Sequence, residues 1–469
     1  MKYEKLKEQI KKGVEFFKKQ YRNKPVRIIT HLDADGICSS ALMIKALQYK
    51  KLGYFISIVQ QLDDNLLENL IEDSSELLVF LDIGSNQLSL IKEKIKTKPV
   101  LIIDHHELSD KKSPENIFHI NPAFFNINQN EISTSGMVYW FAYELEPKTH
   151  ELAHIGIIGA IGDLQDKPSF SSWNLELSER ARETSKMQIL RGLRLMGAYN
   201  KPLYKVLEHS SEYRIPEVTG SESSAIQFLQ ELNINPKDNA GWRKLTDLSK
   251  EEMKRLVTGI LLKRSSEKNP EEILGDIYLL TEEDENSPTK DAKGFAALLN
   301  ACCRLNKASL AIGVCLNDKK MKERAVHLLR EYKKELLKAL TWYRENSDSE
   351  DIMRSDLFLV INCKHSVLPT MIGTLASLLA KSGELPNGMF ILTLGRLMGN
   401  KTKASLRLSG YHSFDIDLLH LMTEMADKVD GKAGGSSNAA GAVISTKKEA
   451  EFIEYAMKVI KESKRMIIP

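Results

Sequence analysis

The sequence contains no CxxC pair and only five cysteines, Cys38, Cys302, Cys303, Cys315 and Cys363. An odd, scattered set argues against a disulfide framework and against a zinc site, and fits a reducing cytoplasm. Also missing is any apolar run near the roughly 20 residues that a membrane span requires. The opening stretch MKYEKLKEQIKKGVEFFKKQ is charged throughout, so neither a signal peptide nor a membrane anchor is expected. Strong net charge is absent too: the balance is +3 over 469 residues, which carries no global nucleic-acid signature. Locally, residues 1–27 hold ten Lys or Arg against three Glu. That excess reads as a solvated amphipathic helix or as a surface attracting phosphate. No internal repeat or low-complexity segment is found.

What is present is a globular chain with 42% hydrophobic and 28% charged residues, long enough for two or three domains. Apolar runs at Val26 to Thr30, Phe55 to Val59, Leu77 to Leu81 and Val100 to Ile103 alternate with helical patterns such as Ser39 to Gln48. This predicts a doubly wound α/β domain with a parallel sheet over residues 1–199, closing on a helical stretch around 175–198. Residues 200–285 predict a mostly helical insert punctuated by Pro and Gly. From 286 to 469 a second α/β unit follows, with strand candidates at Leu310 to Cys315, Leu357 to Asn362, Phe390 to Leu394 and Ala404 to Leu408. The polar, acidic TEEDENSPTKDAK reads as a linker.

Chemistry collects where apolar runs end. VRIITHLDADG finishes on His31, Asp33 and Asp35; LLVFLD on Asp82; VLIIDHH on Asp104, His105 and His106; IGIIGAIGD on Asp163. The carboxyl ends of parallel strands share one edge, so these residues are expected to converge there. Crowded carboxylates raise one another's pKa unless a cation lies among them. Hard oxygens with some imidazole suit two divalent ions of the manganese or magnesium type. The plain alternative for any single Asp is a helix N-cap or turn residue. His119, His150, His154, His209, His327, His365, His412 and His420 lie outside these segments and read as surface or satisfied histidines, and Cys38 as packing.

In that order, the four segments resemble the motifs of the DHH phosphoesterases, and the second half resembles the DHH-associated C-terminal domain. IPEVTGSESSAIQFLQEL and DAKGFAALLNACCRLNKASLAIGVCLND extend the likeness to archaeal RecJ-like nucleases, including the GINS-associated nuclease. The resemblance implies one Mn²⁺ on His31, Asp33 and Asp82, and another on Asp35, Asp82, His105 and Asp163, with Asp82 bridging. It further implies that His106 faces the scissile phosphate and that Asp104 orients the pair. Two such ions roughly 3.5 to 4 Å apart promote in-line hydrolysis of a phosphodiester without a protein nucleophile.

One segment departs from the family pattern. Where the C-terminal domain of the family reads GGGHxxAAG, this chain has AGGSSNAAGAV, with Ser436 in place of the His. Gly434, Gly435, Ser436 and Asn438 can still donate to a phosphate, but a cation is lost; the alternative is a flexible turn. Arg407 matches a strand position that often binds substrate in the family, and Lys401 and Lys403 add charge nearby. The expected function is a cytoplasmic Mn²⁺-dependent exonuclease, with Mg²⁺ as the weaker metal, acting on single-stranded DNA or RNA between two α/β domains. Its implied partners are GINS and the replicative helicase. Two alternatives stand: a phosphoesterase for cyclic dinucleotides, short oligoribonucleotides or pyrophosphate, which the insert argues against, and a RecJ-like replisome scaffold with decayed catalysis, which the complete ligand set opposes and Ser436 favours.

Overall fold

The computed structural model describes residues 2–210, 212–410 and 416–465; His412 lies outside them. Strands β1 (Val26–His31), β2 (Tyr54–Val59), β3 (Leu78–Leu81), β4 (Val100–Ile103) and β5 (Ile117–Ile120) form one sheet in the order β2-β1-β3-β4-β5. All four pairings are parallel. Helices α1 (Lys2–Gln20), α2 (Ala34–Tyr49), α3 (Asp64–Glu72), α4 (Leu88–Lys94) and α5 (Thr134–Leu145) cover it. Ile29, Leu78, Phe80 and Ile102 pack with Leu67, Leu70 and Ile91 of α3 and α4. Their neighbours Ile28, Val79, Leu81 and Ile103 face the opposite way, into a core shared with α1, α2 and α5. The central strands β3 and β4 are buried on both faces, so they are continuously apolar rather than alternating.

The run IGIIGAIG, strand-like in composition, forms helix α6 (Ala153–Gly162). Its glycines let it lie close against neighbouring elements, and the burial of Ile155, Ile157, Ile158 and Ile161 outweighs the strand preference of β-branched residues. The expected helix at 175–198 is also divided. Helix α7 (Ser172–Glu183) stops, Ser185 takes φ +57, and β6 (Met187–Leu193) begins.

The insert grows from a two-stranded antiparallel stem of β6 and β9 (Leu274–Leu280). Between them lie α8 (Leu203–Glu208), α9 (Glu222–Glu231), the short hairpin β7 (Lys237–Asp238) and β8 (Gly241–Trp242), and α10 (Lys250–Lys263). Leu207, Ile215, Leu229, Leu256 and Ile260 give this region its own core. TEEDENSPTKDAK is a built corner rather than a free linker: Thr289, Lys290 and Asp291 are buried, and Asp291 caps α11 (Ala292–Arg304).

The chain divides into two compact units, residues 1–329 and 330–469. Residues 286–329, expected to open the second unit, belong to the first. Leu310 to Cys315 is no strand but part of helix α12 (Ala308–Cys315). With α11, it buries Leu298, Leu299, Ala311 and Val314 in the core around α2, and the Ala34 backbone N–H donates to Asn300 Oδ1 at 3.0 Å. Helix α13 (Lys319–Glu345) carries the chain onward.

The second unit has a six-stranded sheet, β10 (Ile352–Arg354), β11 (Phe358–Asn362), β12 (Phe390–Arg396), β13 (Lys401–Leu408), β14 (Lys432–Ser436) and β15 (Ala439–Ser445), in the order β10-β11-β12-β13-β15-β14. Helix α14 (Ile372–Lys381) packs on β12 and β13. Helices α15 (Leu418–Asp427) and α16 (Glu449–Arg465) share the core of Val360, Leu392, Leu406 and Ile444.

Candidate metal centre

Register builds the site. Thr30 pairs with Leu81, Leu81 with Ile103, and Ile103 with Ile120. The residues one step further, His31, Asp82, Asp104 and Asn121, therefore emerge side by side at the carboxyl edge of the sheet. Asp33 caps α2, accepting from the Gly36 N–H at 2.9 Å. Gly36 is required there, because a Cβ would lie 2.4 Å from the His31 carbonyl oxygen. Asp35 falls in the first turn of α2 and is fully buried. Asp163 comes from elsewhere: it is the residue at which α6 ends, not a strand end.

Three groups of potential ligand atoms each lie within 4.8 Å of one another: His31, Asp33 and Asp82; Asp35, His105 and Asp163; and Asp82, His105 and His106. Asp82 and His105 each belong to two of them. His31 Nδ1 lies 2.6 Å from Asp33 Oδ2 and 3.3 Å from Asp82 Oδ2. His105 Nε2 lies 3.2 Å from Asp163 Oδ2 and 3.5 Å from Asp82 Oδ1. Asp104 belongs to none of the groups. It accepts from the backbone N–H of Ser85 at 2.8 Å and meets His106 Nδ1 at 2.7 Å.

Surrounding groups hold the carboxylates and rings in place. Asp35 accepts from the Thr134 and Ser135 backbone N–H groups, at 2.7 and 3.0 Å, where α5 begins and its free N–H groups favour negative charge. The Thr134 hydroxyl donates to Asp82 Oδ1 at 3.0 Å. Asp82 itself has φ +61, a left-handed conformation that costs roughly 1–3 kcal/mol in a non-glycine residue and persists only where the surroundings enforce it. His105 Nδ1 lies 2.8 Å from the Gln129 carbonyl oxygen. That bond puts the proton on Nδ1 and leaves Nε2 as the ligand atom. Gly159 of α6 lets Asp35 approach: a Cβ there would lie 2.5 Å from Asp35 Oδ1 and 2.2 Å from Ser135 Oγ.

The electrostatics call for cations. Burial and the nearby Asp163 carboxylate push Asp35 up to about 7. Burial, with Asp33 and Asp35 close by, pushes Asp82 well above the carboxylate range. Burial works the same way on Asp33 and Asp104, but the His31 and His106 imidazoles overcome it and hold both well below their ordinary value. Burial opposes the charged form of His105, yet Asp163 raises it. Four carboxylates and three imidazoles converging in this space fit divalent ions that accept hard oxygen with imidazole, such as Mn²⁺ or Mg²⁺.

In the second unit, register again brings expected residues together. Leu406 pairs with Ala440 and Ser436 with Ala439, so Arg407, Ala439 and Ser436 lie in one row across β13, β15 and β14. Gly434 pairs with Gly441 and Gly435 with Ala440 in the same hairpin, whose turn is Ser437 and Asn438. Arg407 donates to Ser377 Oγ at 2.9 Å and to the Leu406 carbonyl at 2.8 Å. Of the histidines read as ordinary, His119 is buried and bonded to Ser85 Oγ at 2.8 Å. Sequence reasoning missed Thr134, Ser135, Gln129 and Gly159. Only the first two left a signal, a Ser-Thr-Ser cluster before an apolar helical run, which is an N-cap signature.

Three family models match successive parts of the chain: the DHH family N-terminal domain over residues 25–160, the DHH-CID domain over 195–275 and the DHHA1 domain over 357–462. The uncharacterized protein MJ0831 of Methanocaldococcus jannaschii is 29% identical over 98% of this chain and 99% of its own. RecJ from Thermus thermophilus, solved in complex with Mn²⁺, shares the fold with a TM-score of 0.59 at 16% identity. The match covers 98% of this chain but 55% of that RecJ. CDC45 from Entamoeba histolytica superposes with a TM-score of 0.63 at 12% identity, over 98% of both chains. The chain thus belongs to the DHH family, with a RecJ-like succession of DHH, DHH-CID and DHHA1 domains.

Proposed function

We propose that this DHH-family chain is a Mn²⁺-dependent exonuclease that hydrolyses phosphodiester bonds of single-stranded DNA or RNA to nucleoside monophosphates, in DNA replication or repair. The observation that carries the reading is the sharing of Asp82 and His105 among three ligand groups at one sheet edge. In this reading His31, Asp33 and Asp82 hold one ion, and Asp35, Asp82, His105 and Asp163 the other. When bound, the two ions supply an activated water and charge stabilisation at the phosphoryl group. His106, fixed by its Nδ1–H donating to Asp104, presents Nε2 to the scissile phosphate. Arg407, Gly434, Gly435, Ser436 and Asn438 receive a substrate phosphate, with the serine hydroxyl giving a weaker contact than a charged ring.

The insert is proposed to dock GINS and so bring the chain to the replicative helicase. No helix among the described residues is long and apolar enough to cross a membrane. The five cysteines are all free and buried, which supports a cytoplasmic setting. A scaffold role in the replisome is the second reading, supported by Ser436 and by the likeness to CDC45.

Digestion of end-labelled single-stranded DNA and RNA in Mn²⁺, beside a dinucleotide, tests the proposal. Stepwise loss from long strands, faster in Mn²⁺ than in Mg²⁺, is expected. Cleavage of the dinucleotide alone would select the small-molecule phosphoesterase, and no cleavage the scaffold.

A further inference from the structure

The segment that carries Asp163 is held by contacts on both sides of its helix end. Helix α6 ends with the Leu164 N–H donating to the Ile161 carbonyl and the Gln165 N–H to the Ala160 carbonyl, both at 3.0 Å. This paired closure places the residue after the cap in the left-handed region, where glycine is the usual choice. Here it is Leu164, with φ +59. The residue is 52% exposed, so packing does not stabilise the strained backbone. Strain of this kind persists only where neighbouring contacts over-determine it.

Those contacts lie just beyond it. Gln165 donates to the Gln129 carbonyl at 3.2 Å and accepts from Asn174 at 2.9 Å. Arg194 grips Asp166 and Pro168, in the segment that follows. Its guanidinium donates to the Asp166 carbonyl at 2.7 Å, to the Pro168 carbonyl at 2.9 Å and to the Asp166 carboxylate. Arg194 and Asp166 are 4% and 3% exposed, so neither charge can turn to solvent if the other is lost. Lys293 reaches Asp166 at 3.2 Å, and Glu212 joins Lys293 at 2.8 Å and Lys167 at 2.9 Å. Arg194 directly follows β6, the strand by which the insert is attached, and its N–H bonds the Ile273 carbonyl just before β9. Glu212 lies inside the insert.

We infer that Arg194 is a positioning residue for Asp163: from the base of the insert, it fixes the 166–168 segment and thereby holds the strained helix end that presents the Asp163 carboxylate to the metal centre. The inference rests on the metal-centre reading above. It gives the insert a role in building the site that is separate from any partner docking.

The test is Mn²⁺ binding, read from the paramagnetic resonance signal of free Mn²⁺ during titration of the full chain, with thermal melting measured in parallel. The wild type is expected to take up two ions. Arg194→Met is expected to weaken one of them at least tenfold and leave the other unchanged. Asp163→Asn should weaken the same ion, and the double variant should lose little more, because both changes act on one ligand. Arg194→Lys should fall between, since one ammonium cannot reproduce a planar fork across two carbonyls and a carboxylate; it decides the matter if the Met variant fails to fold. Lower melting temperature with unchanged Mn²⁺ affinity in both variants would overturn the inference and leave Arg194 as a fold contact. A wild type that takes up no Mn²⁺ would overturn the metal-centre reading itself, and the inference with it.

Discussion

The Thr134 hydroxyl donates to Asp82 at 3.0 Å while the Thr134 backbone N–H donates to Asp35 at 2.7 Å. One residue at the start of α5 thus ties the end of β3 to the start of α2, and with them Asp82, proposed to serve both ions, and Asp35, proposed to serve one. Replacing Thr134 with Val removes the first bond and keeps the second. Loss of a supporting bond to a metal ligand commonly lowers affinity about 10- to 100-fold. Calorimetric titration with Mn²⁺ should show a loss in that range for Thr134→Val and near-normal binding for Thr134→Ser, which retains the hydroxyl.

Gly159→Ala should disturb the same corner from the α6 side. The added Cβ would meet Ser135 Oγ and Asp35 Oδ1 well inside contact distance, and overpacking of this kind costs about 1–3 kcal/mol. Urea unfolding should register that loss, and Mn²⁺ affinity should fall with it because Asp35 must shift. Unaltered stability and affinity together would show that the helix backs away freely.

Acid should weaken the fold in part through His119. Burial lowers this ring to about 4, the Asp104 charge only partly offsetting it. The unfolded ring titrates near 6.5, so between these values the unfolded state binds more protons. Stability from the neutral ring is therefore complete above about pH 6.5 and declines as pH falls towards 4. Between pH 7.5 and 5.0 the loss should be about 2 kcal/mol. His119→Asn should show a flatter stability profile across that window in urea unfolding at both pH values, and a profile parallel to the wild type would remove His119 from the account.

Much of the site is legible in the sequence because it is written at the ends of strands. His31, Asp82 and Asp104 each follow an apolar run, and a parallel sheet aligns those ends without further information. Asp163 was legible as a ligand candidate but not as a helix end. GIIGAIG has strand-like composition, and only its packing against α2 and α5 makes it helical. The same override turned Leu310 to Cys315 into α12. Gln129, Gly159 and Arg194 act through a carbonyl, a missing Cβ and a fork onto backbone oxygens, contacts that residue type and spacing do not encode.

The proposed docking role of the insert can be separated from catalysis by charge reversal on α10. Lys250, Glu251 and Lys254 are exposed, whereas Glu252 is half-buried, bonded twice to Arg243 at 2.8 Å and part of the capping box with Ser249. Reversing the three exposed residues and sparing Glu252 should reduce capture of GINS in a pull-down and leave hydrolysis of a short oligonucleotide unchanged. Unchanged capture with lost hydrolysis would assign the surface to substrate.

The most direct test of the whole account is release of labelled mononucleotides from single-stranded DNA in saturating Mn²⁺, compared between wild type and Asp82→Asn. Asparagine tolerates the left-handed backbone at this position and accepts the Thr134 bond, so the fold survives while the shared carboxylate charge is lost. The account predicts steady release by the wild type and release at background by the variant, with equal melting temperatures measured without metal. A variant that keeps more than a few per cent of wild-type turnover, or a wild type that takes up Mn²⁺ and releases nothing, would contradict it.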